Sequence, residues 1–388
     1  MLTKAQELSN EMIAWRRDFH MHPELGFQEV RTAGEIAKNL KDWGYRVQTG
    51  VGKTGVVGEI GSGKPMVAIR ADMDALPIQE MNDVSYKSTN EGVMHACGHD
   101  AHMAIALGTA KLLSQEDFPG TIRFLFQPAE ETEDDEGLSG APRMIEDGAL
   151  KGVDYAIALH VAASVEEGKI ELDEYAAAGV DTFYAKILGK GGHGSTPHKV
   201  VDPIFISGHI ILAIHNIVSR RLRPFDPAVI SIGSIHGGQV DNVIPEEVEL
   251  LGTIRYLDPK VQESIHTEIE RAMEITKTLG GDYELKIVEG YPPMYNHPEV
   301  IALLRSVIGE LIGADKFVEP EPDMGAEDFG YFMQDIPGAV FFLGCEIEGD
   351  TRRHHDARFD INEDCLPIGA AILASSALQM IDSHHQES

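Results

Sequence analysis

Apolar positions recur at helical spacing over residues 33–43, and Gly44 follows as a C-cap before a strand-like segment at 45–48. Short apolar runs at 66–69, 122–126, 155–159 and 340–343 have the length and flanks of buried strands. Helical patterns lie between most of them, at 102–113, 141–146, 300–312 and 366–381. This alternation predicts an α/β fold whose mostly parallel sheet is covered by helices on both faces.

Between about 181 and 289 the pattern changes to strand 183–188, helix 203–219, strands 228–235 and 243–256, helix 260–279 and strand 284–288. That β-α-β-β-α-β order is the ferredoxin-like α+β motif, a unit compact enough to be inserted into a larger domain. The expected organisation is one domain built from residues 1–180 and 291–388, with 181–290 inserted between its parts.

The 388 residues, 43% hydrophobic and 24% charged, belong to a folded globular chain with room for two domains. Lys and Arg number 32 against 63 Asp and Glu, a formal charge of −31. Such a charge repels phosphate backbones and anionic membrane surfaces, so neither nucleic acid nor membrane is an expected partner, and its plainest consequence is solubility. Cys97, Cys345 and Cys365 are too few and too scattered for a disulfide framework, which points to a reducing compartment. Residues 1–20 read as an amphipathic helix without the apolar core of a signal peptide, and no run reaches the ~18 apolar residues of a membrane span. A cytoplasmic protein is expected.

Residues 94–102, MHACGHDAH, concentrate thiol, imidazole and carboxylate, the side chains that bind divalent transition metals. The strand at 122–126 runs into Gln127, Pro128, Ala129, Glu130 and Glu131, and a strand's C-terminal edge is where open α/β sheets place their sites. Two adjacent carboxylates there point in different directions, so one can bind metal while the other handles protons; a solvated acidic loop is the plain alternative. The strand at 155–159 ends in His160, that at 66–69 is followed by Asp72 and Asp74, and His354, His355 and Asp356 precede Phe359. Singly, such histidines are more often structural, and His95 or His102 could cap or pack the following helix. Four strand ends bearing metal-type residues on one edge are poorly explained as independent accidents. Cys97, His99, Glu131, His160 and one of His354 or His355 make five donors, too many for one tetrahedral zinc and suited to two metals with a bridging ligand.

Ten segments carry a family resemblance: WRRDFHMHPELGFQE at 15–29, IRADMDALPI at 69–78, MHACGHDAH at 94–102, FQPAEE at 126–131, LHV at 159–161, GKGGHGSTPH at 189–198, NVIP at 242–245, GTIR at 252–255, GAEDF at 325–329 and HDARFD at 355–360. Over nearly its whole length the chain resembles the dinuclear-metal amidohydrolases and metallopeptidases that include hippurate hydrolase, aminoacylases, auxin-conjugate hydrolases, N-acetyl-diaminopimelate deacetylases and archaeal carboxypeptidases. The resemblance implies that Cys97 bridges two divalent ions, Zn, Mn, Co or Ni, and that His99, Glu131, His160 and His355 complete their sites. It makes Glu130 the general base and Asp74 a carboxylate that orients a ligand. His355 is preferred to His354 for its spacing of four to Phe359.

The resemblance also makes 1–180 and 291–388 the catalytic domain and 181–290 a dimerisation, or lid, domain. His193 matches a histidine that reaches the partner subunit's site to stabilise an oxyanion, although alone it reads as an exposed residue of a Gly-rich loop. Asn242 and Arg255 match residues that hold the substrate and its carboxylate; alone they read as a turn residue and a strand-end charge. The chain departs from the family in having Asp356 and Ala357 where many relatives carry a Pro, and in the acidic segment ETEDDEGLSGAP, a rim that would favour basic substrates. The implied activity is metal-dependent hydrolysis of an N-acyl amino acid by activated water. Metallocarboxypeptidase or dipeptidase action is the alternative on the same machinery, and a non-catalytic metal-binding protein the alternative of another class. The expected partner is a small N-acyl amino acid or short peptide, and the expected assembly a homodimer or dimer of dimers.

Overall fold

The computed structural model describes residues 1–320, 323–349 and 351–387. The apolar runs become an eight-stranded sheet in the spatial order Arg46–Val51, Gly55–Ser62, Gly120–Gln127, Met66–Asp72, Tyr155–Ala162, Gly338–Gly344, Ile170–Glu171 and Phe317–Val318. The strands from Gly120–Gln127 to Gly338–Gly344 in that order run parallel, and Arg46–Val51 with Gly55–Ser62 adds an antiparallel hairpin at one edge. Gly120–Gln127 is buried at every residue, which requires cover on both faces. Asp72 pairs with Gln127, and Phe342 with His160, so the parallel strands deliver their last residues to one edge.

Helix Val30–Asp42 faces the sheet with Ala33, Ile36, Ala37 and Leu40, the stripe that its periodicity predicts. Helix His99–Leu113 is buried at every residue except Lys111, held between Ser9–Met21 and Cys365–Glu387. Its Ile105 and Leu107 share one buried core with Met12, Phe19 and Phe341, each large apolar side chain contributing about 1.5–3 kcal/mol. Depth of burial is what makes the start of this helix a rigid mount.

In the second region an antiparallel sheet has the order Ala228–His236, Glu247–Tyr256, Gly179–Leu188, Asp282–Glu289, the ferredoxin-like arrangement. Burial alternates along Glu247–Tyr256 and turns Val248, Leu250 and Ile254 toward helices Pro203–Arg220 and Pro259–Met273. Asp202 and Asp258 cap those helices, each followed by Pro at the first helical position. The single strand expected at 243–256 is broken around Pro245 into Val243–Ile244 and Glu247–Tyr256, because Pro has no amide to give a ladder. The helix expected at 260–279 is likewise divided, into Pro259–Met273 and Ile275–Thr278.

The chain forms two compact units, Met1–Ala176 with Asn296–Glu321 and Tyr331–Ser388, and Ala177–Tyr295 with Pro322–Gly330. The second takes in the GAEDF segment, which the expected organisation places in 291–388. One expectation needs correction: Pro203–Arg220 and Cys365–His384 do have the length and mean hydropathy, 1.2 and 1.4, of a membrane span. Both are packed helices. The latter is 72% buried, and the former lays Ile206, Ile210, Ile214 and Ile217 against the four-stranded sheet.

Candidate metal centre

The donors gather at the C-terminal edge of the parallel strands. Gly98 holds a left-handed φ of 91° at the start of helix His99–Leu113, and a Cβ there would lie 2.4 Å from Val161 Cγ2. Only glycine allows this approach, and it brings Cys97 Sγ to 3.6 Å from His160 Nε2. His355 also has a positive φ, 67°, which turns its imidazole away from its neighbour's direction and places Nε2 3.0 Å from Glu131 Oε1.

Two donor groups result. The ligating atoms of Cys97, His99 and His160 lie within 4.8 Å of one another, and so do those of Cys97, Glu131 and His355. The groups share the Cys97 sulfur. His99, Glu130 and Glu131 form a third set on the same criterion, with Glu130 Oε2 4.0 Å from His99 Nε2.

Asp74 braces this arrangement. Its carbonyl oxygen accepts His99 Nδ1–H at 2.9 Å, its Oδ1 lies 3.3 Å from the same nitrogen, and its Oδ2 accepts the Glu131 amide at 2.9 Å. With Nδ1 committed as donor, the neutral His99 ring carries its lone pair on Nε2. That Nε2 is buried and has no hydrogen-bond partner among the described residues.

The electrostatics fit a cation. Burial pushes the Cys97 thiol up, but the imidazoles of His160, His354, His355 and His99 around it outweigh burial and hold the thiol well below its usual range. Cys97 and Glu131 push His355 up to about 10 against burial. Burial opposes protonation of His99, yet Asp72, Asp74 and Cys97 raise it well above an ordinary imidazole. Protons held between a thiolate and carboxylates mark where divalent ions would sit, and the orphaned Nε2 is a donor atom awaiting one.

The remaining histidines have other duties. His102 gives Nδ1 to Asp72 at 2.6 Å and accepts the Val161 amide at 2.9 Å, so it is a packed residue of the helix. His354 engages the Cys97 carbonyl at 3.2 Å and accepts the Ala163 amide at 3.3 Å, while its ring lies 5.0 Å from that of Phe359. His95 is fully buried, neither ring nitrogen has a hydrogen-bond partner among the described residues, and burial lowers it to about 3.

His193, Asn242 and Arg255 all belong to the second unit. His193 pairs with Val243 in a two-stranded ribbon, and the Asn242 carbonyl accepts the Gly194 amide at 2.8 Å, so these two residues lie at the same end of that ribbon on facing strands. His193 Nδ1 accepts the Ser195 amide at 3.1 Å, which makes Nε2 the N–H of the neutral ring. Arg255 lies elsewhere, on Glu247–Tyr256, donating to Thr253 Oγ1 at 2.6 Å. In the acidic segment, Asp134 pairs with Lys53 and Arg143, and Arg143 also takes Glu136, so two acids of the expected rim are matched by cations.

Sequence reasoning missed a buried network behind the centre. Arg16 is fully buried and reaches Asp100 at 2.8 Å, Asp360 at 2.8 Å and Glu363 at 3.2 Å, while His20 joins Asp100 at 2.8 Å to Glu80 at 3.3 Å. It anchors the second residue of helix His99–Leu113 to helix Ser9–Met21. The charged run WRRDFH was its only trace in the sequence.

A parallel sheet whose loops gather two thiol-sharing donor groups beside a further carboxylate, Glu130, is the frame of a metal-dependent amide hydrolase. The chain belongs to the peptidase family M20/M25/M40, whose signature matches residues 68–379. It is 43% identical over 384 residues to thermostable carboxypeptidase 2 of Saccharolobus solfataricus, covering 96% of each chain. It is 37% identical over 388 residues to N-acetyl-L-cysteine deacetylase of Bacillus subtilis, covering 98% of this chain and 90% of that one. The crystal structure of the Bacillus subtilis YxeP protein, a dinuclear metal-binding peptidase of the M20 family, is 33% identical with a TM-score of 0.85, covering 97% of this chain and 99% of that one. The protein is thus an M20 hydrolase that acts on amides or peptides.

Proposed function

We propose that the chain hydrolyses the amide of an N-acyl amino acid, releasing a carboxylate and the amino acid. The observation that carries this reading is the pair of donor groups sharing Cys97 with Glu130 alongside. Cys97, His99, Glu131, His160 and His355 hold two divalent ions of the Zn, Mn, Co or Ni class. When bound, the ions supply Lewis acidity toward a carbonyl and lower the proton affinity of water. Glu130, which the site leaves outside the Cys97 groups, takes the proton of the attacking water and returns it to the leaving amine. His193, with its N–H on Nε2, donates to the developing oxyanion of the partner subunit's substrate. Asn242 holds the substrate and Arg255 its carboxylate, for which a guanidinium offers a two-pronged grip.

The dimer this requires is supported by apolar side chains in solvent on the second unit, Phe205 and Leu212 of helix Pro203–Arg220 and Val229 and Ile235 of the edge strand Ala228–His236. Three free cysteines accord with a cytoplasmic setting. A relative named as a deacetylase of an N-acetyl amino acid favours the aminoacylase reading. A second reading, carboxypeptidase or dipeptidase action, is favoured by the 43% identical carboxypeptidase.

Glu130→Gln at unchanged metal content should lower kcat by about 10²- to 10⁴-fold. Normal turnover by that variant would remove Glu130 from its role. Comparing N-acetyl and N-benzoyl amino acids with unblocked dipeptides decides between the two substrate classes.

A further inference from the structure

Ala129 is the strained point of the loop that carries Glu130 and Glu131. Its φ is 45°, a left-handed value that a side chain disfavours by roughly 1–2 kcal/mol. Such a conformation persists only where its surroundings over-determine it. Here both of its peptide groups are fixed: the Ala129 amide donates to Glu29 Oε1 at 2.8 Å, and the Ala129 carbonyl accepts the Gly140 amide at 2.8 Å. Gly140 must be glycine for this, since a Cβ would lie 1.6 Å from the Pro128 carbonyl oxygen. Gly26 closes the remaining side, where a Cβ would stand 3.0 Å from both Cα and Cβ of Ala129.

Glu29 is itself immobilised. It is fully buried, and Oε2 accepts the Thr54 hydroxyl at 2.5 Å. The segment leading to it is tied down too. The Glu24 carbonyl accepts the Ala75 amide at 2.9 Å, and the Glu24 carboxylate accepts the amides of Arg31 and Thr32 at 3.0 and 2.8 Å. Residues 24–29 therefore connect the residue after Asp74 with the residue before Glu130.

We propose that Glu29 is a positioning residue for amide hydrolysis, which fixes the left-handed Ala129 and thereby aims the Glu130 carboxylate and, one residue on, that of Glu131. The proposal rests on the reading of Glu130 as the base. Glu29 acts through its length and its acceptor oxygen, and its charge is dispensable. Burial foremost, then Asp74, push its carboxyl up to about 7, so the site already accommodates the neutral form near neutral pH.

Two conservative variants separate length from charge. Glu29→Gln keeps an oxygen at the same reach for the Ala129 amide, whereas Glu29→Asp keeps the charge and withdraws it by about one carbon–carbon bond, ~1.5 Å. Glu29→Gln should hold kcat within about threefold, and Glu29→Asp should lower it about 10- to 100-fold at unchanged metal content, with KM within about threefold. Hydrogen exchange read at single-residue resolution should find the Ala129 amide protected in the wild type and Glu29→Gln, and open in Glu29→Asp. Full kcat in Glu29→Asp, or equal damage in both variants, overturns the proposal. A wild-type protein inert on every amide offered would remove the hydrolase reading instead. The Ala129 amide then still decides the clamp, which falls if protection survives in Glu29→Asp.

Discussion

Asp74→Ala tests how the two walls of the centre are held together. The Asp74 carbonyl survives the change, so His99 keeps its Nδ1 partner and its tautomer. What disappears is the carboxylate oxygen that takes the Glu131 amide at 2.9 Å. A buried amide left without an acceptor costs about 1–3 kcal/mol. In the metal-free variant the loop relaxes and that amide finds water, so metal binding must draw it back and bear the cost. At about 1.4 kcal/mol per tenfold, metal affinity should fall about 10- to 100-fold, the range typical of lost support behind a ligand. Asp74→Asn should fall between wild type and Asp74→Ala, because its amide oxygen can serve Glu131 while its NH₂ opposes the N–H of His99. The assay is titration of metal-free protein with Co(II) or Zn(II) against a chromophoric chelator, with circular dichroism to establish the fold. Affinity within about threefold of wild type in Asp74→Ala, or weaker binding by Asp74→Asn than by Asp74→Ala, would refute this reasoning.

Three further outcomes are expected. Arg16→Met strands the buried Asp100 carboxylate and should destabilise the protein by about 3–5 kcal/mol, seen in denaturant melts. Although burial opposes it, Arg16 and His20 hold Asp100 well below the usual carboxylate range. The stability tied to that depressed group is whole above the unfolded value of about 4 and is lost as pH falls below it, so the gap between wild type and Arg16→Met should narrow in acid; a gap constant with pH would contradict the linkage. Cys97→Ser removes the atom common to both donor groups, and elemental analysis should find fewer metal ions per chain than in the wild type. Phe205→Glu with Leu212→Glu should shift the protein toward monomer in light scattering, and an unchanged mass would exclude that face from the subunit contact.

Much of the catalytic unit is readable in the sequence because buried parallel strands are short apolar runs, and the residues just beyond their C-terminal ends are free to carry chemistry. Glu130, Glu131 and His160 can be placed on one edge from the sequence alone. The strand Gly55–Ser62 cannot, since GVVGEIGS reads as a turn-rich stretch and draws its order from pairing with Gly120–Gln127. MHACGHDAH offers equivalent histidines, and only packing separates them: His99 faces the donors, whereas His102 is consumed by Asp72 and the Val161 amide. Choosing between His354 and His355 depends on a positive φ at His355, for which a histidine carries no local signal. Ala129 is similar, because nothing about alanine announces a left-handed residue. The Arg16 network joins residues 60 to 347 positions apart and is invisible to periodicity.

The sharing of Cys97 by two donor groups also sets a schedule for the cell. On the ribosome Cys97, His99, Glu131 and His160 emerge early, and the whole of Ala177–Tyr295 must be made before His355 appears. The strand Gly338–Gly344, which leads to His355, also has to find its slot beside Tyr155–Ala162. A growing chain therefore offers only a partial set of these donors, and the group that includes His355 closes only when synthesis is nearly finished. Closure of the second proposed metal group thus belongs to the folding of the finished chain and not to its translation.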